Sequence, residues 1–221
     1  MFSDPFANAP AFIRANTALG APPLVPEIEL HLASEITPLW LATEKKLAQT
    51  QLPPPYWAFA WAGGQALARH LLDHPEIVRD RLVLDFGAGS GLLAIAAVKA
   101  GARLATAAEI DPFAAAAIAL NADHNAVSLA IELADVIGRV PPPWETIVVG
   151  DMCYERPLAE RMTAWLRQCA GAGATVLLGD PGRTYLPASG LAEVARYTVP
   201  TPLELEDRTS RESVVWRLLG D

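Results

Sequence analysis

An acidic residue and three regularly spaced glycines lie at the end of one apolar run. The run Leu82–Phe86 contains Asp85, and Gly87, Gly89 and Gly91 follow directly. Glycine adopts positive φ without steric cost and lets the backbone approach a ligand, while a helix after such a turn offers its amino terminus to the bound group. The segment therefore predicts a strand, a turn and a helix that bind a nucleoside-carrying cofactor.

The spacing of the glycines indicates which cofactor fits. A dinucleotide fingerprint, G-x-G-x-x-G, would need glycine at position 92, where the chain has Leu92. The match is to G-x-G-x-G instead, preceded by Asp85. A carboxylate here suits a cofactor with a cationic amine better than a diphosphate, which it would repel. Because S-adenosylmethionine carries such an amine, we predict it as the cofactor.

A second acidic position follows the next apolar run. Glu109 is the first acid after that run, and Asp111 stands directly before Pro112. A carboxylate about twenty residues past a glycine turn can accept two hydrogen bonds from a ribose diol. Asp111 has the position of an N-cap for the helix that Pro112 begins. We therefore predict that Glu109 binds the ribose.

Composition indicates one well-filled globular unit. The chain has 221 residues, of which 52% are hydrophobic and 19% are charged. That length suffices for one core and is short for two full domains. No apolar run is long enough for a membrane-spanning helix, and the residues before His31 lack the pattern of a secretory signal. We expect a protein without a membrane anchor, located in the cytoplasm.

Charge and cysteine content exclude several kinds of site. The net charge of −8 disfavours binding of nucleic acid through its phosphates and favours a basic partner surface. Cys153 and Cys169 are too few for a disulfide scaffold or a cysteine-rich zinc site, and the histidines show no ligand spacing. We predict no metal site.

Helix and strand signals alternate along most of the chain, which is typical of a mostly parallel sheet with helices on both faces. Three prolines, Pro53 to Pro55, form a stiff boundary. We assign residues 1–53 to an N-terminal extension with a helix, a strand and a second helix, and residues 54–221 to the main domain.

Periodicity predicts the individual elements. Predicted helices cover Phe6–Leu19, Gly64–Leu72, Leu92–Lys99, Pro112–His124, Pro157–Cys169 and Leu186–Ala195. Predicted strands cover Glu27–Ala33, Leu82–Phe86, Leu104–Ile110, Ser128–Leu133, Thr146–Val149 and Ala174–Leu178. Two further strands, Tyr197–Leu205 and Ser213–Leu219, have no helix between them and should form an antiparallel hairpin at one edge of the sheet.

Residues 54–219 resemble the seven-strand, Rossmann-like methyltransferases that use S-adenosylmethionine. The resemblance implies an α/β fold whose sheet ends in an antiparallel hairpin, and it places Glu109 on the ribose. It also implies that Asp135 accepts the adenine amine, although a solvated turn residue is an equal alternative for that position. The implied cofactor loop comprises Asp85, Gly87, Ala88, Gly89 and Gly91.

Four segments in order narrow the resemblance. They are Glu27–Leu32, Pro54–Gln65, Asp151–Tyr154 and Gly179–Arg183, and the third has the pattern (Asp/Glu)-x-x-(Tyr/Phe). Together they resemble the electron transfer flavoprotein β-subunit lysine methyltransferases. The family implies an enzyme with a protein substrate, that β-subunit, and no nucleic acid or membrane partner. The alternatives are a methyltransferase of ribosomal proteins of the L11 or L7/L12 type and a non-catalytic docking module that binds the cofactor.

The implied reaction moves a methyl group from a sulfonium to a neutral lysine amine. Asp151, after the fourth strand of the main domain, can orient the amine and offset the charge that grows on nitrogen. It is too acidic for a strong general base. Its alternative role is to cap the helix that Pro157 begins, which the separation from that proline disfavours. Tyr154 can wall the pocket, and a plain core aromatic residue is its rival interpretation.

The remaining predicted site residues lie in the other two family segments. We expect Trp61 to contact the cofactor, and Trp57 to serve core packing or the substrate channel. Asp180 and Arg183 follow the fifth strand of the main domain, where parallel sheets carry ligand-binding loops. They shape the substrate pocket or form an internal ion pair that braces a Pro-Gly turn.

Overall fold

The computed structural model describes residues 8–33, 54–201 and 209–220 of the chain. The helices in these ranges are α1 (Ala9–Asn16), α2 (Ala62–Asp73), α3 (Leu92–Lys99), α4 (Pro112–His124) and α5 (Arg156–Gly171). The strands are β1 (Ala18–Gly20), β2 (Leu30–Leu32), β3 (Leu82–Phe86), β4 (Leu104–Glu109), β5 (Ala130–Leu133), β6 (Thr146–Gly150), β7 (Thr175–Asp180), β8 (Leu191–Pro200) and β9 (Ser210–Leu218). None of these helices is long and apolar enough to cross a membrane.

Within the described chain, seven strands form the main sheet in the order β5-β4-β3-β6-β7-β9-β8. The first five in this order pair in parallel, while β9 pairs antiparallel with both β7 and β8. The sheet order reverses next to β3, and ligands of open parallel sheets bind in the crevice at such a point. The predicted mostly parallel sheet with an antiparallel C-terminal hairpin is confirmed.

Alternate residues of the central strands enter two separate cores. Val83 of β3 packs in the core that contains residues of α2 and α3, whereas its neighbour Leu84 packs with Met162 and Trp165 of α5. Successive side chains of a strand point to opposite faces, so a sheet buried on both sides needs apolar residues throughout. Helices therefore cover both faces, as predicted.

The described part of the N-terminal segment packs onto the main domain. Ile13 of α1 lies in one cluster with Phe113 of α4, and Leu30 of β2 enters the core beside α2 and α3. The amide of His31 donates to Asn121 Oδ1 at 2.8 Å. The first predicted helix and strand are present in shorter form as α1 and β2, while the predicted second helix lies outside the described residues. The domain boundary at residue 53 stays a prediction.

The predicted crossover helix over Leu186–Ala195 is wrong. The first half of that segment is a loop, and from Leu191 onward the chain forms β8, which pairs with β9. Gly190 has a φ of 74°, outside the helical region, and so interrupts a helix. The long antiparallel pairing overrides the helical preference of the residues that follow.

Candidate active site

A cavity of about 540 Å³ lies at the carboxyl ends of β3, β4 and β6. This is the size of a pocket for a small-molecule ligand. Most predicted site residues line it: Trp57, Trp61, Asp85, Gly87, Ala88, Gly89, Glu109, Asp135, Asp151, Tyr154 and Arg183. Gly91 and Asp180 lie outside the lining.

The glycine turn joins β3 to α3 as predicted. Gly87, Gly89 and Gly91 have φ values of 65°, 52° and 81°, and Gly91 is the N-cap of α3. A Cβ on Gly87 would lie 2.6 Å from the end of the Met152 side chain, whereas the nearest atom to a Cβ on Gly89 is 3.8 Å away. Backbone conformation is therefore the reason for glycine at both positions, because the flexible end of the Met152 side chain can move away from a Cβ on Gly87.

Asp85 is a buried carboxylate at the floor of the cavity. It is 1% exposed, and its Oδ2 accepts a hydrogen bond from the amide of Ala94 at 2.9 Å. Burial raises the pKa of Asp85 to about 7, and the nearby carboxylate of Glu109 adds to the effect. A cationic group in the cavity would favour the ionised form. The residue thus has the surroundings expected of a partner for a ligand amine.

Glu109 lies beside the glycine turn at the end of β4. Its Oε2 accepts from the amide of Gly89 at 3.0 Å, and its Oε1 accepts from its neighbour Ile110 at 2.8 Å. Asp111 caps α4, because its Oδ1 accepts from the amide of Phe113 at 2.8 Å. The N-cap expected of Asp111 is present, and this geometry supports Glu109 as the residue for a ribose.

Asp135 lines the cavity on the loop after β5. Its Oδ1 accepts from the amide of Ile137 at 3.0 Å, and its Oδ2 pairs with Arg161. Partial burial raises the pKa of Asp135, but the hydrogen bonds from Arg161 and Ile137 outweigh it and hold the pKa below its usual range. Asp135 is therefore an ionised hydrogen-bond acceptor. It braces a turn, as expected of a turn residue, and it also lines the cavity, as expected of a residue that accepts from adenine.

Asp151 follows β6 in a left-handed conformation, with a φ of 58° and 6% exposure. Its Oδ1 accepts from Arg183 Nε at 2.8 Å, and its Oδ2 accepts from the amides of Gly63 and Gly64. Burial raises the pKa of Asp151 to about 6, although Arg183 opposes the effect. The helix that this carboxylate contacts is α2, not the helix that follows it in the chain.

Gly63, Gly150 and Gly179, which lie outside the cofactor loop, make the contact between α2 and Asp151 possible. A Cβ on Gly63 would lie 2.6 Å from the carbonyl carbon of Gly179, and a Cβ on Gly150 would lie 2.9 Å from Gly64 Cα. The amino terminus of α2 therefore packs directly against the ends of β6 and β7. This role of the glycines was not predicted, although the pair Gly63-Gly64 at a helix start is an unusual choice, since glycine weakens a helix.

Aromatic rings form the wall of the cavity near this loop. The ring centroids of Tyr56 and Tyr154 are 5.4 Å apart, and those of Tyr56 and Trp61 are 5.9 Å apart. Trp61 Nε1 donates to the carbonyl of Tyr56 at 2.9 Å. Tyr154 is 42% exposed, and burial of its hydroxyl raises the pKa to about 12. Tyr154 is therefore a wall residue of the cavity instead of a core aromatic residue.

Trp57 and Asp180 contribute less to the cavity than predicted. Trp57 is mostly buried, and Asp180 does not line the cavity. Trp57 is 3% exposed and packs with the α1 and α4 cluster, with one edge on the cavity. Asp180 is 2% exposed, and its Oδ1 accepts from the amides of Gly182 and Arg183, both at 2.7 Å. Asp180 thus braces the turn through backbone amides, while the guanidinium of Arg183 turns to Asp151.

Several lining residues were not predicted. Met152 lies within the Asp151–Tyr154 segment and Glu155 directly follows it, while Tyr56 lies within the Pro54–Gln65 segment. Their position in or next to a family segment could have indicated them. Arg161 carried no such signal, because it reaches the cavity from the second turn of α5. No group of three or more His, Cys, Asp or Glu residues in the described ranges could hold a metal ion.

The strand order, the glycine turn and the acidic residues around one cavity define the seven-strand class of methyltransferases. A family model described as ribosomal protein L11 methyltransferase (PrmA) matches residues 67–149. Magnesium protoporphyrin IX methyltransferase from Synechocystis PCC 6803, solved with bound SAM, is similar with a TM-score of 0.53 at 15% identity, over 71% of this chain and 78% of that one. At this identity the likeness concerns the fold alone.

Several curated relatives carry the name electron transfer flavoprotein beta subunit lysine methyltransferase. The relative from Xenopus laevis is 39% identical over 212 residues, which is 93% of this chain and 85% of the relative. The relative from Homo sapiens is 36% identical over 222 residues, or 97% and 83%. The chain belongs to the electron transfer flavoprotein β-subunit lysine methyltransferase family, and it is an enzyme.

Proposed function

We propose that this protein transfers methyl groups from S-adenosylmethionine to lysine side chains of the electron transfer flavoprotein β-subunit. The observation that carries the proposal is that Asp151 and the glycine turn line one cavity. A nucleophile held at Asp151 and a cofactor held at the turn would therefore meet. The names and coverage of the relatives support the choice of protein substrate.

The residues present fit S-adenosylmethionine. Asp85 is a buried carboxylate that gains from a cationic partner, and the amide-braced Glu109 can accept from a ribose diol. Asp135 can accept from the adenine amine, and Trp61 offers a ring face in the same cavity. When bound, the cofactor supplies a methyl group on a positively charged sulfur.

The enzyme must hold the lysine as a neutral amine with its lone pair directed at that methyl group. Asp151 orients the amine through a hydrogen bond and stabilises the positive charge that develops on nitrogen. Its pKa of about 6 remains far below that of an amine, so it does not act as a strong base. Tyr154 and Tyr56 wall the path of the lysine side chain.

A ribosomal protein substrate is the second candidate, because the L11 methyltransferase family model matches residues 67–149. That range contains the glycine turn and Glu109 but ends before Asp151. It therefore supports the cofactor half of the site and says little about the substrate half. A docking module without catalysis is set aside, since the family consists of named methyltransferases.

The N-terminal extension, residues 1–53, is proposed to contribute to recognition of the protein substrate. Its described part packs against α4, next to Trp57 on the cavity wall. We also propose that the enzyme acts in the cytoplasm, on protein and not on nucleic acid. The net charge of −8 supports this choice of partner.

Intact-mass spectrometry tests the proposed activity. Purified flavoprotein, ribosomal protein L11 and ribosomal protein L7/L12 are each incubated with enzyme and S-adenosylmethionine, with the Asp151→Asn variant as a control. We expect the flavoprotein β-subunit to gain the mass of one or more methyl groups with the wild type. A mass gain confined to a ribosomal protein would select the second candidate, and no gain on any of the three would contradict both.

A further inference from the structure

The guanidinium of Arg183 holds one oxygen of the Asp151 carboxylate. Arg183 Nε donates to Asp151 Oδ1 at 2.8 Å, and Nη2 contacts the same oxygen at 2.7 Å. The other oxygen, Oδ2, accepts from the amides of Gly63 and Gly64 at the start of α2. A full positive charge and the positive end of a helix therefore act together on one buried carboxylate.

Arg183 is itself held in place at both ends. Its backbone amide donates to Asp180 Oδ1 at 2.7 Å, and its guanidinium carbon lies 5.7 Å from the ring centroid of Trp61. The side chain is 20% exposed and lines the cavity. The backbone hydrogen bond fixes the position of the Arg183 main chain, and the contact with the Trp61 ring fixes the position of the guanidinium. The positive charge therefore stays beside Asp151 instead of projecting into solvent.

The charge state of the substrate makes this arrangement important. Free lysine has a pKa of about 10.4, so near neutral pH it is almost entirely an ammonium ion, which has no lone pair. A buried carboxylate without compensation stabilises an adjacent ammonium and so keeps the amine protonated. A carboxylate already paired with a guanidinium favours an adjacent ammonium less, while its remaining negative charge still acts on the charge that develops on nitrogen.

We propose that Arg183 is a positioning residue that compensates the charge of Asp151, so that the substrate lysine occupies the site as a neutral amine. The proposal rests on the proposed lysine methylation. Among the residues that the structure describes, the other groups that face Asp151 cannot take over this role: Asp180 is acidic, Cys153 is a buried thiol, and residues 62–65 of α2 are uncharged. Burial raises the pKa of the Cys153 thiol to about 12, so it stays neutral.

The test is the pH profile of single-turnover methylation of the flavoprotein β-subunit by Arg183→Met and Arg183→Lys. Methionine keeps much of the length and removes the charge. The ammonium of bound lysine should then lose its proton about one pH unit higher, so Arg183→Met should be about tenfold slower at pH 7, and the difference should close only as the pH passes the pKa of the bound amine. Loss of Arg183 also raises the pKa of Asp151, but that effect ends once Asp151 is ionised, so full recovery well below the pKa of the amine would overturn the proposal. Arg183→Lys should keep a profile close to that of the wild type.

Arg196→Met is the matched control, because Arg196 also holds a carboxylate through Nε and Nη2, that of Glu193, on the exposed face of β8. The pH profile of Arg196→Met should equal that of the wild type.

An equal loss of rate at every pH, or no loss, in Arg183→Met would overturn the role of Arg183 while leaving the proposed function standing. If Arg183→Met does not fold, Arg183→Lys decides: a profile shifted to higher pH despite the retained charge would overturn the proposal. A wild type that methylates at no pH would instead overturn the proposed function and, with it, this inference.

Discussion

Gly63 and Gly179 lie so close together that a Cβ on either one would overlap the carbonyl oxygen of the other. The start of α2 therefore rests directly on the end of β7. This contact brings the first amides of α2 to Asp151, which lies on the neighbouring strand end. The packing of two backbones thus places the carboxylate that the proposed reaction uses.

Gly63→Ala should destabilise the fold by about 1 to 3 kcal/mol, because the new methyl group forces α2 away from the sheet. Gly64→Ala is the matched control, since a Cβ on Gly64 meets nothing within 4 Å. The control should be neutral or gain about 0.5 to 1 kcal/mol from helix propensity. Urea unfolding measures both, and equal stability of the two variants would show that the contact is not tight.

Glu109→Ala should weaken S-adenosylmethionine binding by about 2 to 4 kcal/mol, because two hydrogen bonds to the ribose are lost. Part of the loss will come from Gly89, whose amide Glu109 also holds. Glu145→Ala is the control: Glu145 accepts from the amide of Leu82 at the opposite end of β3, away from the cavity. Calorimetry should find the affinity of the control unchanged. If Glu109→Ala also kept wild-type affinity, the ribose assignment would be wrong.

Cofactor affinity should rise with pH because of Asp85. Its pKa of about 7 means that the carboxyl is mostly protonated below neutral pH, whereas a cationic amine needs the ionised form. Affinity should therefore increase about tenfold from pH 5.5 to 7, a range in which an α-amine stays charged. Asp111 and Asp151 also titrate near pH 6, so the Asp85→Asn variant isolates the effect. Calorimetric titration of that variant should show a much flatter pH dependence, and a slope equal to that of the wild type would contradict the assignment.

Asp151→Asn should slow methyl transfer by about two to three orders of magnitude, because the charge that stabilises the developing ammonium is lost. Cofactor affinity should stay near that of the wild type. Single-turnover methylation and cofactor titration measure the two effects. Tyr154→Phe should be milder, since the ring wall remains and only a hydroxyl is removed. Wild-type turnover in Asp151→Asn would remove this residue from the reaction.

Local patterns predicted the elements that position the cofactor. The bounds of β3, α3 and α4 agree with the sequence prediction, because apolar runs, glycine turns and Pro112 mark them within a few residues. The helix predicted across Leu186–Ala195 is wrong because its second half belongs to β8. The predicted hairpin began at Tyr197, whereas the pairing with β9, the next strand of the chain, already begins at Leu191.

The partners of Asp151 were out of reach of sequence reasoning because they lie far from it along the chain. Gly63 precedes Asp151 by 88 positions and Arg183 follows it by 32. Spacing rules for helices and strands describe neighbours along the chain, whereas these contacts depend on how α2 and the loop after β7 meet in three dimensions. The Asp151–Tyr154 motif identified the carboxylate, whereas only the three-dimensional fold showed that Arg183 and the start of α2 bind it.

The edges of the main sheet bear on how a protein substrate can be recognised. The outer strand β8 has a bulge between Glu193 and Ala195 and ends at Pro200, and the opposite edge is the short strand β5. Bulges, prolines, charged residues and short length all hinder the addition of another extended chain. In the described part of the chain, the sheet is therefore poorly suited to take up a peptide as an extra strand. We expect the enzyme to read its target as a folded surface that presents a lysine, and not as an unfolded segment.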